Sequence, residues 1–459
     1  MSTSPPSALD RARTKAYWRL LPILFACYIV AYVDRTNVGI AKLTMKDDLP
    51  AFTESVFGLG LGIFFIGYFL LEIPGSLIVE RWSARKWISR IMVTWGFVAG
   101  ATAWVTTPFQ FYTARFFLGL AEAGFFPGII IYLTHWFPAR DRARALSVFL
   151  IATPIAQFIS PKICNLMLPI GTNSIVAGVS VHIPEILGLK GWRWIYIAWG
   201  IPAVVLGFIV LAFLTDRPSQ ARWLADDERE ALENELAREQ AERRNKVGGH
   251  MTVKEALMNP KVLLLATAYF FIVTGNYGVE TFLPTILKDW YDLSNDHLTW
   301  VLMIPPVGSL FGQLFVGWNS DRTRERRFHA AIPIYLGAAA LSLTIFRGNP
   351  LWLMILLFTV VATGVKAYLP AFWSLPSLFL TEAAAAGSIG LINSVGNLGG
   401  FLGPLMLGYL KDKTGHFMPG IALLSISMMI SATIIISLGL GKTQEKPKSS
   451  LDPLDESLL

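Results

Sequence analysis

Long apolar segments alternate with short polar ones along this chain. A helix needs about 20 predominantly apolar residues to cross a bilayer, and twelve segments come close to or exceed that length. They lie at 18–43, 56–79, 87–107, 109–136, 143–169, 192–214, 260–288, 297–319, 328–346, 351–379, 386–410 and 417–440. The pattern predicts an all-α integral membrane protein with twelve transmembrane helices.

One long polar stretch interrupts the pattern after the sixth segment. It is rich in Glu and Arg, and Trp223, Leu224, Leu232 and Leu236 recur in it at helical intervals, which predicts an amphipathic surface helix. We therefore expect two halves of six spans each, joined by a linker. The expected domains are a tail at 1–17, bundles at 18–215 and 259–440, the linker at 216–258 and a tail at 441–459.

A second polar insertion, 171–191, separates the fifth and sixth spans. We expect it to form a short helix over the mouth of the protein, and its role stays open.

Composition agrees with a membrane protein. Of 459 residues, 53% are hydrophobic and 15% charged, and the mean hydropathy is +0.50, which excludes an ordinary water-soluble fold. The net charge of +7 is divided among short loops, so we expect no nucleic-acid partner. Cys27 and Cys164 lie in apolar segments and match no ligand spacing, so we expect no disulfide, metal or cofactor.

The basic residues also predict orientation. They concentrate in the loops 80–90, 138–145 and 320–329, whereas 106–110 and 288–297 contain few. Because cytoplasmic loops are enriched in Lys and Arg, we expect both termini in the cytoplasm and the chain in the cell inner membrane.

Two of these basic loops repeat each other. Glu80 and Arg81 stand in the first half and Asp321 and Arg322 in the second, each pair followed by two further basic residues five and six positions after the acid. We interpret the pairs as gating residues, latches that contact neighbouring helix ends such as those carrying Arg140 and Arg144.

At these residues the chain resembles the major facilitator superfamily, whose loop motif is Gly-x-x-x-Asp-Arg-x-Gly-Arg-Arg. The second copy, GWNSDRTRERR, is similar to it, whereas the first has Ser76, Glu80 and Ser83 at motif positions. Within the superfamily, YVDRTNVGIA, RFFLGLAEAGFFPG and AFWSLPSLFL resemble the anion:cation symporter family. The resemblance implies two bundles around a midplane cavity that opens alternately to each side, and proton-coupled import of organic anions.

Few ionisable residues stand inside the predicted spans. An ionised side chain at the bilayer centre costs about 2.5 to 3.5 kcal/mol on insertion scales, so such residues usually face a cavity and pair. The set is Asp34, Arg35, Glu72, Arg115, Glu122 and Lys366. Arg115 and Glu122 are seven positions apart, which places them on one helix face about 10 Å apart along the axis.

These residues suggest roles. Arginine presents a planar, bidentate donor to a carboxylate, so Arg35 is the expected substrate anchor, with Arg115 assisting. Burial raises the proton occupancy of an acid and a neighbouring arginine lowers it, so a buried acid beside an arginine can bind and release a proton. The resemblance implies that Asp34 and Glu122 carry protons in this way. The residues alone equally allow a salt-bridge network that holds spans one and four together.

Further substrate-binding candidates are Gln157, Lys366, Tyr368, Trp373 and Asn393. The resemblance implies that Trp373 and Asn393 bind substrate hydroxyls, whereas Gln157 either does the same or bonds a neighbouring helix. Lys366 either supplies a second cation for a diacid or extends to the outer surface, which leaves monoacid and diacid open. For Glu72 we expect a structural or gating role.

The predicted function is proton-coupled import of a sugar acid, hydroxy-dicarboxylate or aromatic carboxylate by a monomer in a lipid bilayer. Its alternatives are an organic anion exchanger on the same scaffold and a non-transporting nutrient sensor. An ATP-driven pump is disfavoured because no GxxxxGK[ST] occurs. An enzyme is disfavoured because HExxH and a nucleophile elbow are absent from the sequence.

Overall fold

The computed structural model describes residues 7–176, 179–246, 255, 258–346, 348–376 and 382–439. Nearly all of them are helical. Ten helical segments are long and apolar enough to cross a membrane, and Arg327–Leu343 is a shorter apolar helix. The predicted all-α membrane fold with two six-helix bundles is confirmed.

The first half of the chain contains nine helices among the residues described. They are α1 (Ala8–Thr36), α2 (Val38–Asp48), α3 (Glu54–Arg81), α4 (Ala84–Ala101), α5 (Pro108–Glu122), α6 (Phe125–Trp136), α7 (Ala139–Leu150), α8 (Ala152–Met167) and α9 (Gly191–Phe213).

The linker helix and the helices of the second half follow. They are α10 (Asp226–Lys246), α11 (Pro260–Tyr291), α12 (Asn295–Thr323), α13 (Arg327–Leu343), α14 (Leu351–Ala367), α15 (Leu369–Ser374), α16 (Glu382–Thr414) and α17 (Met418–Ser437). The domain boundaries stay a prediction.

Side-chain caps begin several of these helices. Ser7, Thr53, Ser83 and Thr107 each accept a hydrogen bond from a backbone N–H of the first turn, and Gln110 completes a capping box with Thr107. Such caps satisfy donors that the helix itself leaves unpaired. The caps therefore fix where the spans start.

Three spans are interrupted close to charged residues. Span one breaks at Asn37, span four at Gly124 and span ten at Tyr368. Gly124 has φ +82°, a conformation that glycine adopts without steric cost. The charged residues just before these breaks are Arg35, Glu122 and Lys366. Irregular backbone at membrane depth is tolerated where protein or a cavity surrounds it, so the breaks mark the interior of the protein.

Helix α5 packs very closely on α3. A methyl group added at Gly119 would overlap the carbonyl oxygen of Phe64, and one at Gly67 would overlap that of Phe116. Small residues allow helices in a membrane to approach in this way. The helix that carries Arg115 and Glu122 is thereby fixed against its neighbour.

The side of the protein that carries the start of α1 is called here the terminal face. On it, α10 docks on α1: Glu228 accepts hydrogen bonds from Lys15 at 2.7 Å and from Arg11 at 3.3 Å. Just before α10, the ring of Trp223 stacks on Trp136 with centroids 5.3 Å apart. The linker is therefore attached to the first half.

The opposite side is called here the distal face, and the two halves meet there. The N–H of Ser55 donates to Asp412 Oδ2 at 2.7 Å, which joins α3 to α16. Asn165 Nδ2 donates to Asp296 Oδ1 at 2.8 Å, which joins α8 to α12. The ammonium of Lys42 lies 3.5 Å from the ring centroid of Phe282 in α11.

The insertion at 171–191 differs from its prediction. Its described residues form an antiparallel hairpin of β1 (Asn173–Val176) and β2 (Val179–His182), with Asn173 opposite His182, so the expected short helix is wrong. Both strands are rich in β-branched residues, which favour strands over helices.

A tether joins the end of this insertion to the distal end of α2. Lys190 forms an ion pair with Asp48. Trp192 Nε1 donates to the same carboxylate at 3.1 Å. The insertion is therefore attached to the first half.

Acidification is expected to release α10 from α1. The hydrogen bond from Lys15 lowers the pKa of Glu228 below its ordinary value, so the docked carboxylate resists protonation more than the detached one. The stabilisation is complete above the ordinary glutamate pKa and is lost as pH falls through the lower docked value. Electron paramagnetic resonance measurements of the distance between spin labels on α10 and α1 check this, and the distance should increase at acidic pH. In Glu228→Gln the same acid transition should be absent, and its persistence would contradict the assignment.

Candidate functional site

Arg35, at the end of α1, contacts both halves of the protein. Its Nε donates to Glu122 Oε1 at 2.7 Å, and the two groups form an ion pair. Its Nη1 lies 3.5 Å from the hydroxyl of Tyr277 in α11, and the guanidinium lies 5.2 Å from the ring centroid of Tyr68. The Arg35 side chain retains 14% of its exposure, whereas Glu122 retains none, so the arginine is the accessible member of the pair.

Asp34 faces a different set of partners. Its carboxylate accepts from Trp95 Nε1 at 2.9 Å and from Asn37 Nδ2 at 3.3 Å, and it is buried. Neighbouring residues on a helix point about 100° apart. Asp34 therefore faces α4, while Arg35 faces α5 and α11.

Arg115 is a buried cation that, within the described ranges, makes no hydrogen bond or ion pair. Its guanidinium lies 5.1 Å from the ring centroid of Phe64, and its Nε has no acceptor. Glu122 Oε2 likewise has no donor. Asp34 and Glu122 act on this cation electrostatically without a hydrogen bond to it among the described residues, so this end of the site can accept an anion without displacing a hydrogen bond to Arg115.

A second charged cluster surrounds Glu280 in α11. Tyr32 donates its hydroxyl to Glu280 Oε1 at 2.7 Å, and the Gln157 amide donates to the same oxygen. Asn276 Nδ2 donates to Oε2 at 3.3 Å, and Lys366 Nζ lies 3.9 Å from Oε2. Lys366 also donates to the Tyr32 hydroxyl at 2.8 Å. The cluster thus combines residues of both halves.

Glu280 is absent from the predicted set of ionisable residues inside the spans, so that set is incomplete. The residue stands in NYGVETF within the predicted span 260–288, where any acid signals an interior site. Lys366, for which two directions were open, extends into the protein, and its side chain is 14% exposed.

A cavity adjoins the second cluster. Gln157, Asn276, Glu280 and Lys366 line it, together with apolar residues and several prolines. The ion pair of Arg35 is outside this lining, although Tyr32 stands one helical turn before Arg35. The pair that borders the cavity is therefore Glu280 and Lys366.

Glu72 joins the two halves through amides. It accepts from Asn393 Nδ2 at 2.5 Å, from Ser394 Oγ at 3.2 Å and from Asn397 Nδ2 at 3.4 Å. The amide of Asn393 is engaged by this carboxylate, so its binding of a substrate hydroxyl stays a prediction.

Two other candidates belong to an aromatic cluster. The rings of Tyr269 and Trp373 are 5.0 Å apart, and those of Tyr368 and Phe372 are 5.7 Å apart. Tyr368 is buried, whereas Trp373 is partly exposed. Trp373 is therefore the more accessible of the two.

Most of the expected gating residues fall outside the described side chains. The side chains outside the description are those of Glu80, Arg81 and Asp321 and those of the latch partners Arg140 and Arg144. The guanidinium of Arg322 lies 5.4 Å from the ring centroid of Trp318. The loop after α3 does contact the segment that follows α9, because Ser83 Oγ donates to Asp216 Oδ2 at 2.7 Å. Gating stays a prediction.

Comparison with known protein families matches residues 24–404 to the Major Facilitator Superfamily. This chain belongs to the major facilitator superfamily. The facilitator is 39% identical over 436 residues to the "Putative tartrate transporter" of Agrobacterium vitis, covering 95% of this chain and 92% of the relative. It is 38% identical over 420 residues to the "Quinolone resistance transporter" of Acinetobacter baumannii, covering 92% and 93%.

A solved structure shows the same fold. The facilitator superimposes on the inward open conformation of the xylose transporter XylE from E. coli with a TM-score of 0.68 and 14% identity, covering 91% of this chain and 95% of that chain. The predicted superfamily is confirmed, and the facilitator is a multi-pass secondary transporter. Its relatives are transporters and not enzymes.

Replacing Glu72 with alanine is expected to destabilise the facilitator. The substitution leaves the amides of Asn393 and Asn397 without their acceptor in a contact between the halves, a loss of about 1 to 3 kcal/mol. Thermal unfolding in detergent, followed by tryptophan fluorescence, measures it. Glu72→Gln keeps an oxygen acceptor and should lose less. Equal midpoints for Glu72→Ala and the unchanged protein would show that the contact adds no stability.

Proposed function

We propose that this facilitator imports a small organic anion together with protons by alternating access. The observation that carries the proposal is the bond between Arg35 and Glu122: an accessible guanidinium is neutralised by an internal carboxylate. A relative named as a tartrate transporter supports an organic acid as the substrate.

Recognition of the anion begins at the arginines. A substrate carboxylate that binds Arg35 competes with Glu122 for the same donors. Arg115 makes no ion pair within the described ranges, and a bidentate contact with a carboxylate would satisfy it. The two cations together favour an anionic substrate over a neutral one.

Proton coupling follows from the competition at Arg35. When Glu122 takes up a proton, it loses its charge and releases the guanidinium to the substrate. One proton and one carboxylate then enter the site together, and its net charge does not change. Asp34, held by Trp95 and Asn37, is the second proposed proton carrier. Each proton contributes about 1.36 kcal/mol per unit of pH difference.

Alternating access requires the two halves to rock against each other. The distal contacts of Ser55 with Asp412 and of Asn165 with Asp296 open when the cavity faces that side. The loop pairs Glu80–Arg81 and Asp321–Arg322 are the proposed latches of the other state. Close packing of α5 on α3 keeps the first half rigid during the movement.

Substrate hydroxyls are the proposed ligands of the polar candidates. Gln157 borders the cavity, and Trp373 presents a partly exposed ring beside Tyr269. Asn393 becomes available when rocking separates it from Glu72. None of these side chains carries a charge, so they select among acids and add no protons to the cycle.

The terminal face is proposed to lie in the cytoplasm of a cell inner membrane, with the facilitator acting as a monomer. A fluorescent protein fused after the C-terminus should therefore fold and fluoresce, whereas periplasmic alkaline phosphatase at the same place should stay inactive. A fusion within the insertion at 171–191 should give the opposite result, with an active phosphatase and a non-fluorescent protein. The reverse result at both sites would invert the orientation.

Glu122→Gln is expected to abolish proton-driven accumulation while counterflow of substrate continues, because glutamine cannot take up and release the proton. Proteoliposomes that are acidic outside measure uptake of labelled tartrate, galactonate and hydroxybenzoate with and without a protonophore. Glu54→Gln is the matched control, since Glu54 pairs with buried Lys42 near the distal face, and it should accumulate substrate. Accumulation by Glu122→Gln would remove Glu122 from the coupling path. If the protonophore does not affect uptake by the unchanged protein, and external substrate exchanges for internal substrate, the exchanger is favoured.

A further inference from the structure

The cluster around Glu280 has the composition of a complete carboxylate-binding site. A lysine ammonium, a tyrosine hydroxyl and two amides surround one carboxylate, and two of those groups donate to the same oxygen. Charge-assisted hydrogen bonds of this kind are the strong ones. The occupant is a side chain of the protein itself.

Both charged members of the cluster are accessible from the cavity. The side chain of Glu280 is 13% exposed and that of Lys366 is 14% exposed, and both border the cavity. A ligand in the cavity can therefore reach the ammonium without a rearrangement of the backbone.

The cluster lies close to the proposed substrate anchor. Tyr32 and Arg35 are one turn apart on α1, and their partners Glu280 and Tyr277 are one turn apart on α11. One turn of α-helix rises about 5.4 Å, a span that a chain of a few carbon–carbon bonds of about 1.5 Å covers.

We propose that Lys366 binds the second carboxylate of a dicarboxylate of four to six carbons whose first carboxylate binds Arg35, and that Glu280 occupies this second subsite when substrate is absent. This inference rests on the proposed function and deepens it. Glu280 then acts at Lys366 as Glu122 acts at Arg35: it yields the cation when protonated. Two carboxylates and two protons enter the site together, so the cluster stays neutral.

The pairing also explains why Lys366 is tolerated in span ten. A lone ammonium beside an apolar cavity is costly, and Glu280 offsets its charge in the empty protein. Lys366 and Glu280 therefore form one functional unit, and removal of either changes selectivity or coupling instead of only stability.

The test uses pairs of acids that differ in one carboxylate: galactarate against galactonate, and tartrate against threonate. Uptake of each is measured in proteoliposomes that are acidic outside. Lys366→Met is expected to lower kcat/KM for the diacids about tenfold or more, the usual loss for one charge-assisted bond, and to leave the monoacids within about threefold. Equal losses for both classes, or none, overturn the inference.

A second variant separates binding from folding. Glu280→Gln leaves Lys366 without its internal competitor, so diacid binding, followed by tryptophan fluorescence at equilibrium, should depend on pH by about one proton less than in the unchanged protein. An unchanged pH dependence overturns the role of Glu280. Lys411→Met is the matched control, because Lys411 pairs with Asp289 away from the cavity, and it should alter neither selectivity nor pH dependence.

The outcomes for the unchanged protein separate the two proposals. Accumulation of galactonate or threonate without either diacid overturns the dicarboxylate subsite and leaves proton-coupled import intact. If none of the four acids and no other organic anion accumulates under the proton gradient, the proposed function fails as well.

Discussion

A charge inside a membrane protein must find an opposite charge, a set of dipoles or a ligand, and this constraint organises the facilitator. Its interior charges gather along the contact between the halves: Arg35 with Glu122, Lys366 with Glu280, and Glu72 with amides of α16. The apolar faces of the helices only need lipid or each other. The polar groups therefore determine the relative position of the two halves. The apolar packing within a half depends on helix length and on small residues such as Gly119.

The sequence predicts the spans well because length and hydropathy are local properties. It also singles out Asp34, Arg35 and Glu122, since a charge in an apolar run is conspicuous. The partners are less predictable. Arg115 and Glu122 share one helix face, yet Glu122 bonds Arg35 from α1, because tilt and rotation between helices decide such pairs and no local pattern encodes them. The insertion at 171–191 contains a hairpin and not the predicted short helix, because the β-branched residues of its two strands favour an extended backbone.

Glu280 shows a different kind of omission. Its neighbours Asn276 and Tyr277 mark a polar face on α11, but the segment satisfies every criterion of an apolar span, and one acid changes its hydropathy little. Charge balance does point to it: Lys366 inside a membrane requires an acid nearby, and Glu280 is the one Asp or Glu in the predicted spans of the second half. The helix breaks at Asn37, Gly124 and Tyr368 also indicate an interior polar site, because each lies within a few residues of a charged side chain that needs a polar environment.

The donors of Glu280 and the acid itself belong to different halves. Tyr32 and Gln157 come from the first half, whereas Glu280, Asn276 and Lys366 come from the second. When the halves of the empty protein separate as proposed, the partly buried Glu280 carboxylate loses the two hydrogen bonds from the first half and keeps only Asn276 and Lys366. A bound ligand that takes over those donors removes this penalty. In the proposed cycle this contact therefore disfavours movement of the empty protein, which keeps the movement of protons tied to the movement of substrate.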